Sequence, residues 1–134
     1  MIYNKLVRDK IPEIIAKEGK TVKFRAVKGE ELDEAIRKKI LEEAAELASA
    51  KTDSDIVEEA ADLIEIVEAF LDRHVLIMPT VENRMGSKYR EKGRFEYGFF
   101  LESVDEPESD PIKPDIVSSM VKCELELEQH KQLR

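Results

Sequence analysis

Lys39-Ile40-Leu41-Glu42-Glu43-Ala44-Ala45-Glu46-Leu47, followed by Val57-Glu58-Glu59-Ala60-Ala61-Asp62-Leu63, is the stretch whose reading decides the fold. Reduced to its acids it is E-x-x-E, twelve residues, then E-x-x-D. With one residue every ~100° around a helix, Glu43 falls inside the apolar stripe of Leu32, Ile36, Ile40 and Leu47, and Glu46 lies on its edge. Glu59 takes the same place among Ile56, Leu63, Ile66 and Phe70, with Asp62 on the edge. Both helices therefore interrupt their apolar face at the same point with the same kind of pair. Four carboxylates directed into one interior need compensation, because a buried unpaired charge is strongly unfavourable. A divalent cation is the simplest source of it.

Working outward, the turn Lys51-Thr52-Asp53-Ser54-Asp55 supplies N-cap residues, so the spacing predicts helices over about 30–50 and 54–73. A link this short makes them antiparallel neighbours, which brings one acidic pair opposite the other. Upstream, Asp9, Pro12 and Gly19 predict a short helix over about 10–18. Thr21 to Val27 alternates and is rich in β-formers, so it reads as a short strand or extended segment. Downstream, Pro79-Thr80 opens a helix to about Lys92, weakened at Gly86 and ended at Gly93. Phe95 to Val104 reads as a second strand able to pair with 21–27. Residues 105–115 are turn-rich and acidic, a linker before helical periodicity over 116–133. The expected architecture is mainly α: an antiparallel helix pair, completed to a four-helix-bundle-like core by oligomerisation, with one or two short flanking strands. The expected division is a domain over 1–104 and an acidic linker with a C-terminal helix or tail over 105–134.

The 134 residues suffice for one domain, and 39% charged with 6% aromatic residues and no Trp is the composition of a helix-rich protein. A formal net charge of −8 argues against binding a nucleic-acid polymer through bulk charge. The single Cys123 excludes an intramolecular disulfide and fits a reducing compartment. With no apolar run of membrane-spanning length and no signal-peptide pattern, a cytoplasmic location without a membrane partner is expected.

Acids at i and i+3 share a helix face and can share a cation. Two such pairs, Glu43 with Glu46 and Glu59 with Asp62, give an all-oxygen set suited to Mg²⁺, or Mn²⁺. His74 and His130 are isolated, which argues against zinc. A cation held this way usually shares its remaining positions with water and phosphate, so metal-assisted attack on a phosphoryl group is the implied chemistry. The ordinary meaning of one E-x-x-E in a charge-rich chain is a solvated face. Two in matching phase, both inside apolar stripes, are harder to explain that way.

These motifs carry a resemblance. The stretch from Lys38 to Leu71 resembles the MazG-like and phosphoribosyl-ATP pyrophosphohydrolase superfamily of all-α nucleotide pyrophosphohydrolases, whose signature is E-E-x-x-E, a spacer, then E-x-x-D. The opening Tyr3 to Ile15 (YNKLVRDKIPEII) resembles the start of a small stand-alone branch of that group. Lys88-Tyr89-Arg90-Glu91-Lys92-Gly93-Arg94-Phe95 is similar to its basic stretch after the helices, with Arg94 where the pattern has a second glycine. The resemblance covers about residues 1–104. It implies cleavage between the α and β phosphates of a nucleotide to a monophosphate and pyrophosphate. By matching motif, Glu43, Glu46, Glu59 and Asp62 are the metal-holding and catalytic acids. Glu42, on another face, supports rather than ligates.

A triphosphate needs cations. Lys39, one turn before Glu43, is a candidate phosphate contact or an i,i+4 ion pair with that acid. Lys88, Arg90, Lys92 and Arg94 form a second supply, and Lys5 and Arg8, with Lys10, a third, whose alternative is a solvated first turn. Phe24, Tyr89, Phe95 and Phe99 are candidates for stacking on a base, although apolar core is their commoner role. The leading expectation is a Mg²⁺-dependent nucleoside triphosphate pyrophosphohydrolase of the house-cleaning type, a homo-oligomer, dimer or tetramer. The alternatives are phosphoribosyl-ATP pyrophosphohydrolase of histidine biosynthesis and a non-catalytic acidic helical binding module.

Overall fold

The computed structural model describes residues 1–106 of the chain. Four helices follow in order: α1 (Ile11–Lys17), α2 (Gly29–Ser49), α3 (Asp53–Arg73) and α4 (Met78–Lys92). The protein is mainly helical, and the helix ends obey local chemistry. Pro12 occupies the first turn of α1, where a missing N–H costs nothing. Thr52 caps α3, its Oγ1 accepting the Asp55 N–H at 3.1 Å, while Asp53 and Asp55 in the first turn and Arg73 in the last complement the helix dipole.

The helices α2 and α3 are joined by three residues, Ala50, Lys51 and Thr52, and pack on one another as an antiparallel hairpin. Its register is visible in cross-helix contacts. Arg73 Nη2 donates to the carbonyl of Gly29, joining the last turn of α3 to the first of α2. The same distance inward on both helices, Glu43 faces Glu59. Ile36 and Ile66 are the buried apolar side chains of this seam. Leu41, Val57 and Ile64 remain exposed on the same two helices.

Residues 21–27, expected as a strand or extended segment, and 95–104, expected as a strand, form no strand, and none is present among the described residues. Residues 21–27 are irregular, and Phe95 to Gly98 make a bend and turn with Gly98 at φ +64°. A two-stranded ladder is marginal in water without a third strand or a packed face, so alternation alone did not suffice. Turn geometry prevails in the second segment. The helix expected over 116–133, with Cys123 and His130, lies outside the described residues.

The chain divides into two compact units, Met1–Met85 and from Gly86 onward. The division falls at Gly86 within α4, while the expected boundary at 104 adjoins the end of the described range. The first unit contains the helix hairpin and the chain that precedes it.

Candidate metal centre

Helix phase places the site. Glu43 is buried at 5% exposure, Glu59 is half-buried and Glu46 is exposed. One carboxylate oxygen from each lies within 4.8 Å of the others. Glu43 and Glu46 come from one face of α2 and Glu59 from the facing side of α3, so the cluster exists only because the helices pack in this register.

Three carboxylates at this separation repel unless something intervenes. Lys39 answers part of the charge: its Nζ lies 2.9 Å from Glu43 Oε1 and 3.2 Å from Glu42 Oε1. Burial pushes the Lys39 ammonium down, but its bonds to Glu43 and Glu42 outweigh this and hold its pKa above the ordinary lysine value. Lys39 thus forms the i,i+4 pair that spacing allowed. The far oxygens stay unmatched: Glu43 Oε2 and Glu59 Oε2 are buried without a hydrogen-bond partner. With all three acids ionised none can donate to another. A proton on Glu46 would supply a donor, and its carboxyl is accordingly pushed up, chiefly by sharing that proton with Glu43, then by burial and the charges of Glu43 and Glu59. A cation at the same point would do what the proton does.

The donor set fits a hard divalent ion. An octahedral Mg²⁺ with oxygens at about 2.1 Å sets opposite ligands about 4.2 Å apart. Only one pair of the three can be opposite and adjacent ligands stand about 3.0 Å apart, so closing from 4.8 Å needs roughly one to two ångströms of side-chain adjustment. All donors are oxygens, and no histidine or cysteine takes part.

Asp62 is not one of the three converging acids. It lies one turn beyond Glu59, and its Oδ1 accepts from Arg8 Nη2 at 2.7 Å. Glu42 accepts from Lys5 at 3.5 Å and from Lys39, and although burial raises its proton affinity, these lysines lower it below the usual value. It anchors cations beside the cluster. Lys5, Arg8 and Lys39 are therefore gathered at the acidic motifs. Lys88, Arg90, Lys92 and Arg94 belong to the second unit, where Arg94 stacks over the Tyr89 ring at 4.4 Å and Arg90 reaches Ser87 Oγ at 3.4 Å. Phe24, Tyr89, Phe95 and Phe99 are exposed rather than core. Phe24, Phe95 and Phe99 lie in irregular or turn segments, which leave them no face to bury, and Tyr89 lies on an exposed part of α4.

Two features were invisible in the sequence. The Arg8–Asp62 pair spans fifty-four positions, beyond any local periodicity. At the far end of the hairpin Asp33 gathers Arg37, at 2.7 Å, and also Arg73 and His74. His74 packs edge-on against Phe70 there. The pairing of Asp33 with Arg37 was legible as i,i+4; the other two depend on packing.

Compared with protein-family models, with curated proteins and with solved structures, the chain matches none. No helix among the described residues is long and apolar enough to cross a membrane.

Proposed function

We propose that the protein is a divalent-metal-dependent nucleoside triphosphate pyrophosphohydrolase, releasing a monophosphate and pyrophosphate. The observation that carries this reading is the pair of buried, unpartnered oxygens, Glu43 Oε2 and Glu59 Oε2, converging with Glu46 across two helices. Glu43, Glu46 and Glu59 would hold the ion, Mg²⁺ or Mn²⁺. When bound it would neutralise phosphate charge and increase the acidity of coordinated water. Glu43, fixed by Lys39, is the rigid ligand; Glu46, exposed, marks the side from which water and phosphate approach. Arg8 and Lys5 supply positive charge at that rim. The resemblance of the acidic motifs and the opening segment to the MazG-like group supports a nucleotide as the phosphate carrier. The scarcity of buried apolar side chains, with Leu41, Val57 and Ile64 exposed, supports a working state that is a homo-oligomer.

Product analysis on a panel of nucleoside triphosphates, with and without Mg²⁺, tests the reading. Monophosphate plus pyrophosphate formed only with metal is the expected result. Orthophosphate release would overturn the cleavage position. No turnover with the panel or with phosphoribosyl-ATP would overturn the enzyme reading in favour of a binding module.

A further inference from the structure

The residues preceding α1 form no helix or strand, yet they are tied to both helices of the site. Lys5 reaches Glu42 on α2, and Arg8 reaches Asp62 on α3. The segment is a basic strap with one cation on each acidic motif. The two bonds differ in consequence. Glu42 lies outside the three-carboxylate cluster, so Lys5 withdraws no oxygen from it. Asp62 borders the cluster from the same face as Glu59, and its carboxylate is held by Arg8 instead of joining the other three.

Arg8 is well placed to exchange partners. Its bond to Asp62 raises its proton affinity against the effect of desolvation, and the charges of Asp62, Glu65 and Glu43 act in the same direction as the bond. The pair is open to water, with Arg8 57% and Asp62 39% exposed. Ion pairs this exposed are weak and readily replaced. A guanidinium accepts carboxylate or phosphate with the same fork of donors.

We propose that Arg8 is a counter-ion latch, which holds the Asp62 carboxylate away from the three glutamates until a divalent cation arrives and then turns its guanidinium to the phosphate that accompanies the cation. The inference rests on the metal reading of Glu43, Glu46 and Glu59. Arg8 is a positioning residue for the cation, and the two compete for Asp62. A merely structural Arg8 would preorganise Asp62, and its loss would weaken cation binding. A latch predicts the opposite sign.

Calorimetric titration of Mn²⁺ into the full, nucleotide-free chain at ~0.15 M salt decides between them, since that salt screens exposed charges beyond about 8 Å. Arg8→Gln is expected to bind Mn²⁺ about three- to fivefold more tightly than the unaltered chain, the scale of one exposed ion pair. Removing any positive charge nearby also favours a cation. Lys5→Gln removes the same charge from the same strap without freeing Asp62, and sets that baseline. The gain for Arg8→Gln should exceed it, and in an Asp62→Asn background should fall back to it. Inorganic triphosphate added with Mn²⁺ should bind Arg8→Gln more weakly. Should Arg8→Gln fail to fold by circular dichroism, Arg8→Lys, which keeps the charge but loses the fork, is expected to gain affinity in the same direction. Unchanged or weaker Mn²⁺ binding, a gain no larger than that of Lys5→Gln, or a gain that persists with Asp62→Asn overturns the latch alone. Absence of Mn²⁺ binding by the unaltered chain overturns the metal reading and the latch with it.

Discussion

The two ends of one hairpin surround their acids differently, although Asp33 Oδ1, like Glu43 Oε2 and Glu59 Oε2, is buried without a hydrogen bond. Near the Gly29 end, Asp33 is surrounded by Arg37, Arg73 and His74, and its carboxyl is held below the usual range, first by the Arg37 bond and against the effect of burial. Toward the linker, Glu43, Glu46 and Glu59 converge on one another with only Lys39 bonded to Glu43, and Glu46 is pushed the other way. Helix pairing needs ion pairs like those of Asp33; it does not need a set of acids that repel. Locally unfavourable arrangements that a fold maintains are where function is usually found. The contrast separates an acid that cations fasten from a group of acids that could hold a metal ion.

The largest effect expected is on turnover. Glu46→Gln should reduce metal-dependent pyrophosphate release by roughly a hundredfold or more, since even partners that only orient metal ligands are worth 10–100-fold. Its circular dichroism should be unchanged, because Glu46 is exposed. Full activity in this variant would place the site elsewhere.

Next in size is stabilisation by the ion. Mn²⁺ at ~100 times its Kd should stabilise the unaltered chain by about 2.7 kcal/mol. Thermal melting with Mn²⁺ and with a chelator reads this directly. Asp33→Asn should keep the shift, and Glu46→Gln should lose it.

Without metal, the two ends should respond to charge removal with opposite signs. Glu59→Gln should raise the melting temperature by a few degrees, since it removes one of three like charges and offers Glu43 a donor. Asp33→Asn should lower it, leaving Arg37, Arg73 and His74 without their shared partner. The same sign for both would erase the distinction. pH sharpens it further. Glu46 binds its proton more tightly folded than unfolded, so its contribution is present in acid and is lost as pH rises from the ordinary glutamate value through its raised one. The depressed carboxyl of Asp33 contributes above the ordinary aspartate value, and that contribution is lost as pH falls through its lowered one. Melting in chelator across this range should show a falling component that Glu46→Gln abolishes.

The smallest effect concerns how α3 stops. The Leu76 N–H bonds Leu71 O at 2.9 Å and the Val75 N–H bonds Asp72 O at 3.0 Å, a closure that puts Val75 at φ +57°. Glycine fills the equivalent left-handed position after α1 and α4, at Gly19 and Gly93. A β-branched residue there is strained, so Val75→Gly should stabilise the chain by about 0.5–1 kcal/mol, the relieved strain less the added freedom of the unfolded chain. Denaturant titration would measure it. Turnover should not change, since Val75 lies at the fastened end.

The sequence by itself determined the helices and their phase. Apolar spacing, Pro12, Thr52 and Gly93 placed the four helices within one or two residues, and the phase of Glu43 anticipated a buried acid. These properties are local: a helix ends where its caps and breakers stand, and its faces follow from 3.6 residues per turn. Packing decided the rest. Asp62 shares its helix face with Glu59, yet its carboxylate is paired with Arg8, distant in the chain and brought near only by the fold. Alternation in 21–27 and 95–104 could not make strands, because a strand requires a partner and sequence spacing does not supply one. The two kinds of acid site look alike along the chain. Asp33 Oδ1, Glu43 Oε2 and Glu59 Oε2 all lack a hydrogen bond, and only the Arg73 and His74 cations that the tertiary structure sets beside Asp33 tell them apart.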